Sequence, residues 1–182
     1  LYTVLAAAKI AYAPKWILGS VGADIASINP AAAPYIIGAT SMSFLPSVVD
    51  PKDEYVAQFK EIHAAYNSKA KFNSWALIGM NTAFLTVQAL QAAGKKLTRK
   101  GLLAAIDNNG AKFASAGLVP LNYSKTSNAG YNGYWFGTFN RSGDLVPNDT
   151  FTYTPYTTDS GTGAVVKSTY SRPKMPAKGL PN

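Results

Sequence analysis

Apolar and polar positions set the rhythm of the first forty residues. Val4, Leu5 and Ala8 fall at helical spacing in an alanine-rich segment over 3–11, and Pro14 stops it. Lys15-Trp16-Ile17-Leu18 then reads as a short buried strand closed by Gly19-Ser20. Asp24 as an N-cap predicts a short helix over 24–33, ended by Pro34. Tyr35-Ile36-Ile37-Gly38-Ala39 reads as a second buried strand. Helix, strand, helix, strand with short connections is the pattern of a parallel α/β sheet.

From Asp50 the period lengthens to that of helices. Asp50-Pro51 predicts a helix start, because Asp accepts free N–H groups and Pro fits the first turn. Tyr55, Phe59, Ile62 and Tyr66 then form one apolar stripe. Ser74 opens a more apolar helix that ends at Gly94, and Thr98 caps a third, with Leu102, Leu103 and Ile106 inward, ending at Asn109-Gly110. Gly117-Leu118-Val119-Pro120-Leu121 reads as a short strand. Tyr134 to Phe139 is another, followed by a turn over 140–144 that returns the chain toward Leu145-Val146.

With 182 residues, 47% of them hydrophobic, the chain can build one good-sized core or two small lobes. The longest apolar stretch, 75–90, is interrupted by Asn81, Thr82 and Gln88 and is too short for a bilayer span, so a soluble globular chain is expected. The absence of cysteine removes disulfides, thiolate metal sites and cysteine nucleophiles. A single histidine, His63, makes a Ser-His-Asp triad or a two-histidine metal site very hard to assemble, and it reads as an edge-of-core residue. No cofactor or metal is expected. The first residues read as the inside of a helix already under way, so the chain is expected to be part of something longer.

The net charge of +8 invites a nucleic-acid reading, but its distribution argues against one. Lys95, Lys96, Arg99 and Lys100 sit at one helix boundary; Lys167, Arg172, Lys174 and Lys178 lie in a proline-rich tail that reads as a strap or a disordered end. Setting those eight aside leaves nine basic residues against nine acidic ones. Neither cluster is interleaved with aromatics. Gly19-Ser20-Val21-Gly22 lacks the lysine of a P-loop and the three glycines of a dinucleotide loop. No paired carboxylates stand out beyond Asp50, Asp53 and Glu54, which a helix start already explains. A binder is therefore favoured over an enzyme, with the loop 19–24 beyond the first strand as the place for a ligand.

The order of elements resembles the C-terminal half of the type I periplasmic solute-binding proteins, in particular the branched-chain amino-acid (Leu/Ile/Val) receptor family of ABC transporters. The residues that carry the likeness are Ala6-Ala7-Ala8-Lys9 with Trp16-Ile17-Leu18-Gly19, and the Gly38 segment leading to Asp50-Pro51. They continue through Phe59 with Tyr66, Gly79-Met80-Asn81-Thr82 where the family usually carries Gly-Tyr-Asp-Ala, Ala93-Gly94, and Gly143-Asp144-Leu145-Val146-Pro147. The resemblance implies α/β lobes with parallel, Rossmann-like sheets, present here incompletely. It assigns residues 1–45 to the C-terminal lobe and 46–133 to a segment completing the N-terminal lobe. Residues 134–155 would be a crossover strand and return, and 156–182 a basic tail. Two hinge strands would lie near 40–45 and 134–136.

The implied function is that of an extracytoplasmic, bacterial solute receptor, periplasmic or a cell-surface lipoprotein. It would be a monomer that closes over a small amino acid-like or carboxylate solute and presents the closed form to a membrane permease, with no nucleic-acid partner. The ligand residues implied are Ser20, Val21, Gly22, Asp24, Met80 and Asn81. Amino-acid-binding members carry an acidic residue where Val21 stands, so leucine, isoleucine and valine are expected to be poor ligands. A carboxylate or neutral solute would suit Val21 and the adaptable Met80 better. The alternatives are a ligand-sensing regulatory domain of the same fold, an α/β enzyme using Asp24 or Asp50, and a basic wall- or nucleic-acid-binding module.

Overall fold

Three helices in the middle of the chain form where apolar periodicity and caps agree. The computed structural model describes residues 2–20, 33–95, 97–158 and 163–176. The elements are α1 (Tyr2–Lys9), α2 (Ala33–Ile36), β1 (Thr40–Ser43), α3 (Glu54–Tyr66), α4 (Ser74–Ala93) and α5 (Arg99–Asn109). A 3-10 turn (Gly110–Lys112) follows, then β2 (Gly133–Phe139), β3 (Leu145–Val146), β4 (Tyr156–Thr157) and β5 (Val166–Lys167). Asn73 caps α4 by accepting from the Ala76 N–H, and Thr98 caps α5 by accepting from Gly101. Gly94 ends α4 with φ of 73°, a conformation that favours glycine.

The cap of α3 is Asp53, three residues later than the helix start expected at Asp50. Asp53 Oδ1 accepts from the N–H groups of Tyr55 and Val56, both at 3.0 Å. Asp50 is committed elsewhere: Oδ1 accepts from the Lys52 N–H at 2.9 Å and Oδ2 from the Tyr153 hydroxyl at 2.8 Å. The stripe on α3 is also shorter than its spacing suggests, since Tyr55 and Phe59 are fully buried while Tyr66 is exposed. Leu103 on α5 is likewise exposed.

The sheet departs most from expectation. The class is mixed α/β, but every strand-to-strand pairing is antiparallel, in the order β1-β2-β4-β5 with β3 also on β2. A parallel, Rossmann-like sheet is not what the described residues form. Their parallel pairing is confined to one bridge, Ile17 to Thr40, where the Leu18 N–H donates to Thr40 O at 2.8 Å. Residues 35–39, expected as a strand, divide between α2 and a turn. Proline is tolerated in a helix's first turn, and Pro34 lies inside α2; the helix expected over 24–33 lies, but for Ala33, outside the described residues. The expected strand 117–121 reduces to a bridge between Leu121 and Tyr131.

β2 organises the sheet. Thr138 pairs with Thr40 of β1 on one side and with Val146 of β3 on the other, and Tyr134 pairs with Tyr156 of β4. Burial alternates along β2, placing Trp135 and Phe139 inward. At Gly137, which shares that inward face, any Cβ would collide with the Val146 carbonyl and the Trp135 ring, so the close approach of β3 requires glycine there.

Two apolar clusters result. The first joins Val4, Ile36, Ala39, Trp135, Phe139 and Leu145. The second joins Leu45, Val48, Tyr55, Val56, Phe59, Leu77, Phe84 and Ala116. β1 leads from Ala39 of the first cluster toward Leu45 of the second, and β2 contributes Trp135 and Phe139 to the first.

The basic tail behaves as a strap over 168–176. Arg172 forms an ion pair with Asp53 and donates to Ala116 O at 2.8 Å, with its guanidinium 4.7 Å from the centre of the Tyr55 ring. The Tyr55 hydroxyl donates to Pro173 O at 2.9 Å, and the Met175 N–H to Glu54 Oε1 at 2.8 Å. Among the described residues, no helix is long and apolar enough to cross a membrane.

Candidate functional site

A cavity of about 50 Å³ lies where the two apolar clusters meet. Trp135 and Leu145 wall it from the first cluster, and Leu45, Val48 and Leu77 from the second. Local structure explains why the chain opens here. β1 stops at Ser43, whose hydroxyl accepts from the Leu45 N–H at 3.1 Å and donates to Leu45 O at 3.0 Å, turning the backbone out of the strand. The first turn of α4 supplies Ser74, Trp75, Leu77 and Ile78 from the facing side. Trp75 remains 46% exposed at the edge of this space. The Trp135 indole N–H donates to Leu45 O at 2.7 Å and so pins the two clusters together at the back of the cleft.

The lining comprises ten apolar residues and four serines (Ser20, Ser43, Ser47 and Ser74), with no ionisable group among the described residues. Ser47 is the unusual member. Its backbone is held twice, the N–H donating to the Tyr153 hydroxyl at 3.0 Å and the carbonyl accepting from the Asp50 N–H at 3.1 Å. Yet its own hydroxyl has no hydrogen-bond partner, although the residue is only 4% exposed. An unpaired buried hydroxyl carries a desolvation cost of about 1–3 kcal/mol. Behind it, burial and then the hydrogen bond to Asp50 push the Tyr153 pKa above its ordinary value, so the phenol stays protonated and keeps donating.

The six residues expected at a ligand divide sharply. Ser20 lines the cleft. Val21, Gly22 and Asp24 lie outside the described residues. Met80 is half-buried against the second cluster and is not among the residues lining the cleft. Asn81 belongs to a different environment, a buried network in which its Nδ2 donates to the Tyr131 hydroxyl at 2.7 Å. Its Oδ1 accepts from the Ala116 N–H at 2.9 Å and from the Ser115 hydroxyl at 3.2 Å. Ser115 and Tyr131 also bond each other, and Ser115 Oγ accepts from the Gly117 N–H at 2.9 Å. Desolvation raises the Tyr131 pKa, offset in part by the hydrogen bonds from Ser115 and Asn81.

Asn81 and Tyr131 also border a larger cavity of about 400 Å³ between α4 and α5. The hydroxyls of Thr82 and Thr86 there donate to their own helix carbonyls, each at 2.8 Å, leaving that wall apolar. Asp50, the other acid considered for chemistry, is buried and spent on Lys52 and Tyr153. His63 sits at the rim of α3 with its ring 5.5 Å from that of Phe72. No group of three or more His, Cys, Asp or Glu that could hold a metal occurs among the described residues. The cleft's chemistry is thus apolar contact plus hydroxyl hydrogen bonding, and Ser47, Trp75 and Trp135 are members that sequence reasoning missed. Trp135 could have been flagged as the tryptophan within an expected hinge strand, whereas nothing in the sequence around Trp75 or Ser47 marks them. No protein-family model matches this chain, and no curated protein or solved structure does either.

Proposed function

We propose that this chain forms part of an extracytoplasmic solute-binding component of an ABC uptake transporter, holding a small organic solute in the cleft between its two clusters. The observation that carries this reading is the placement of that cleft. It sits where the chain leaving β1 passes from the first cluster to the second, beside Trp135 of the antiparallel partner β2, lined from both sides and walled by apolar and hydroxyl groups. On this reading β1 and β2 are two crossover strands of a type I periplasmic-binding fold, which accounts for their antiparallel pairing, and the lobes' own parallel sheets are only touched at the Ile17 bridge. Solute contacts made from both sides favour the closed arrangement, and a permease recognises that surface; no bond is made or broken.

The test is a thermal-shift screen of small organic solutes with Trp75 fluorescence as a second readout. A true ligand at a hundred times its dissociation constant adds about 2.7 kcal/mol of stability and shifts the emission of the half-exposed Trp75. Failure of every solute class to raise the melting temperature, or chemical conversion of a bound solute, overturns the proposal.

A further inference from the structure

Two observations about the same cleft, taken with the proposal that it holds a solute, limit what the solute can be. The first is charge. No ionisable group occurs among its described lining residues, which therefore offer neither a cation for a carboxylate nor an anion for an ammonium. A charged group enclosed there loses its hydration without a counter-charge, a loss of roughly two to three decades in affinity. The second is the Ser47 hydroxyl, which is buried and without a hydrogen-bond partner, in a residue whose backbone is anchored and which lines the cavity. Buried polar atoms without a partner are rare in folded proteins, and one that lines a cavity is poised for a group that enters it.

We infer that the solute is a small uncharged molecule whose branched aliphatic body fills the space beside Trp135 and whose single hydrogen-bonding group pairs with Ser47 Oγ. Ser47 is then a specificity-determining residue. Size narrows the class further. A protein cavity that accepts a benzene ring measures about 150 Å³, so a space of about 50 Å³ takes an aliphatic branch and not an aromatic ring. The same hydroxyl discriminates by what it lacks. Ser47 both donates and accepts, so an alcohol, ketone or ester oxygen satisfies it, whereas a purely apolar guest leaves it unpaired and binds correspondingly less well.

The test uses three probes that share one carbon skeleton: isobutanol, isobutyrate and isobutylamine, titrated at pH 7 by ligand-observed NMR into the wild-type protein and Ser47→Ala. Isobutanol is expected to bind in the millimolar range, and the two ions at least about a hundredfold more weakly. Ser47→Ala is expected to weaken isobutanol about tenfold. Because the hydroxyl has no partner to lose, the same variant should melt at an equal or higher temperature, which also shows that it is folded. The inference is overturned if isobutyrate, isobutylamine or leucine binds as well as isobutanol, or if Ser47→Ala leaves isobutanol binding unchanged. It is equally overturned if Ser47→Ala melts several degrees lower, since the hydroxyl would then belong to a structural water. Binding of charged solutes refutes this inference and leaves the solute-receptor proposal standing, whereas absence of binding by any solute, charged or not, refutes both.

Discussion

Two buried polar sites on either side of α4 differ in one respect. Around Asn81 every polar atom is answered: the amide, the Ser115 and Tyr131 hydroxyls and the Ala116 and Gly117 N–H groups form a closed set. Around Ser47 the backbone is answered and the side chain is not. The closed set welds α4 to the segment 115–117 and to the approach of β2. The open one belongs to a residue that lines a cavity. Burial alone therefore does not tell the two apart; the count of unused hydrogen-bonding capacity does, and it is what the proposed solute contact at Ser47 rests on.

The largest effect that would sharpen this contrast is expected at Asn81→Leu. It leaves the Ala116 N–H without a partner and removes one hydrogen bond each from Ser115 and Tyr131, with a loss of about 2–3 kcal/mol by urea denaturation. A loss below 1 kcal/mol would remove the distinction between the two sites. Arg172→Met tests a second fully paired site, where the strap meets α3. A buried pair broken on one side costs about 3–5 kcal/mol, but Arg172 keeps 15% side-chain exposure, so about 2–3 kcal/mol is expected in the same assay.

Alkaline titration comes next. Burial, opposed in part by Arg172, pushes the Tyr55 pKa up to about 12. The folded protein therefore holds that proton after the unfolded chain has released its own near pH 10. Stability should be intact below about pH 10 and decline between about 10 and 12. Phenolate absorbance followed in Tyr55→Phe against wild type checks this; Tyr55 ionising at the ordinary value would refute the burial argument. The smallest effect is at Ser47→Ala, expected to change stability by between zero and about +1 kcal/mol, the opposite sign to Asn81→Leu.

How much was legible before the coordinates follows from the range of the forces involved. α4 and α5 could be read because periodicity and caps act over one or two turns: Thr98 and Gly94 sit where expected. Asp50 and Asp53 could not be told apart, because the partner that commits Asp50 is Tyr153, over a hundred residues away. Strand direction was misjudged for the same reason. Short apolar runs joined by few residues suit parallel pairing, yet the partner of β1 proved to be β2, which arrives from the far end of the chain running the other way. Of the residues expected at a ligand, Ser20, read as a residue beyond a strand, lines the cleft, while Asn81, read from its place in a motif, is bonded within a buried network. Ser47 is one serine in a loop. Its significance lies in an absence of partners, and no local pattern encodes that.

The strap also bears on how the polypeptide comes to be made. Asp53 waits 119 positions for Arg172, and Tyr55 waits 118 for Pro173. Pairings so distant along the chain form slowly, and on a ribosome they cannot form until Arg172 and Pro173 have themselves emerged. Until then the start of α3 keeps the Asp53 carboxylate and the Tyr55 ring uncovered, and the nascent segment stays open to proteases and self-association for as long as the strap is missing.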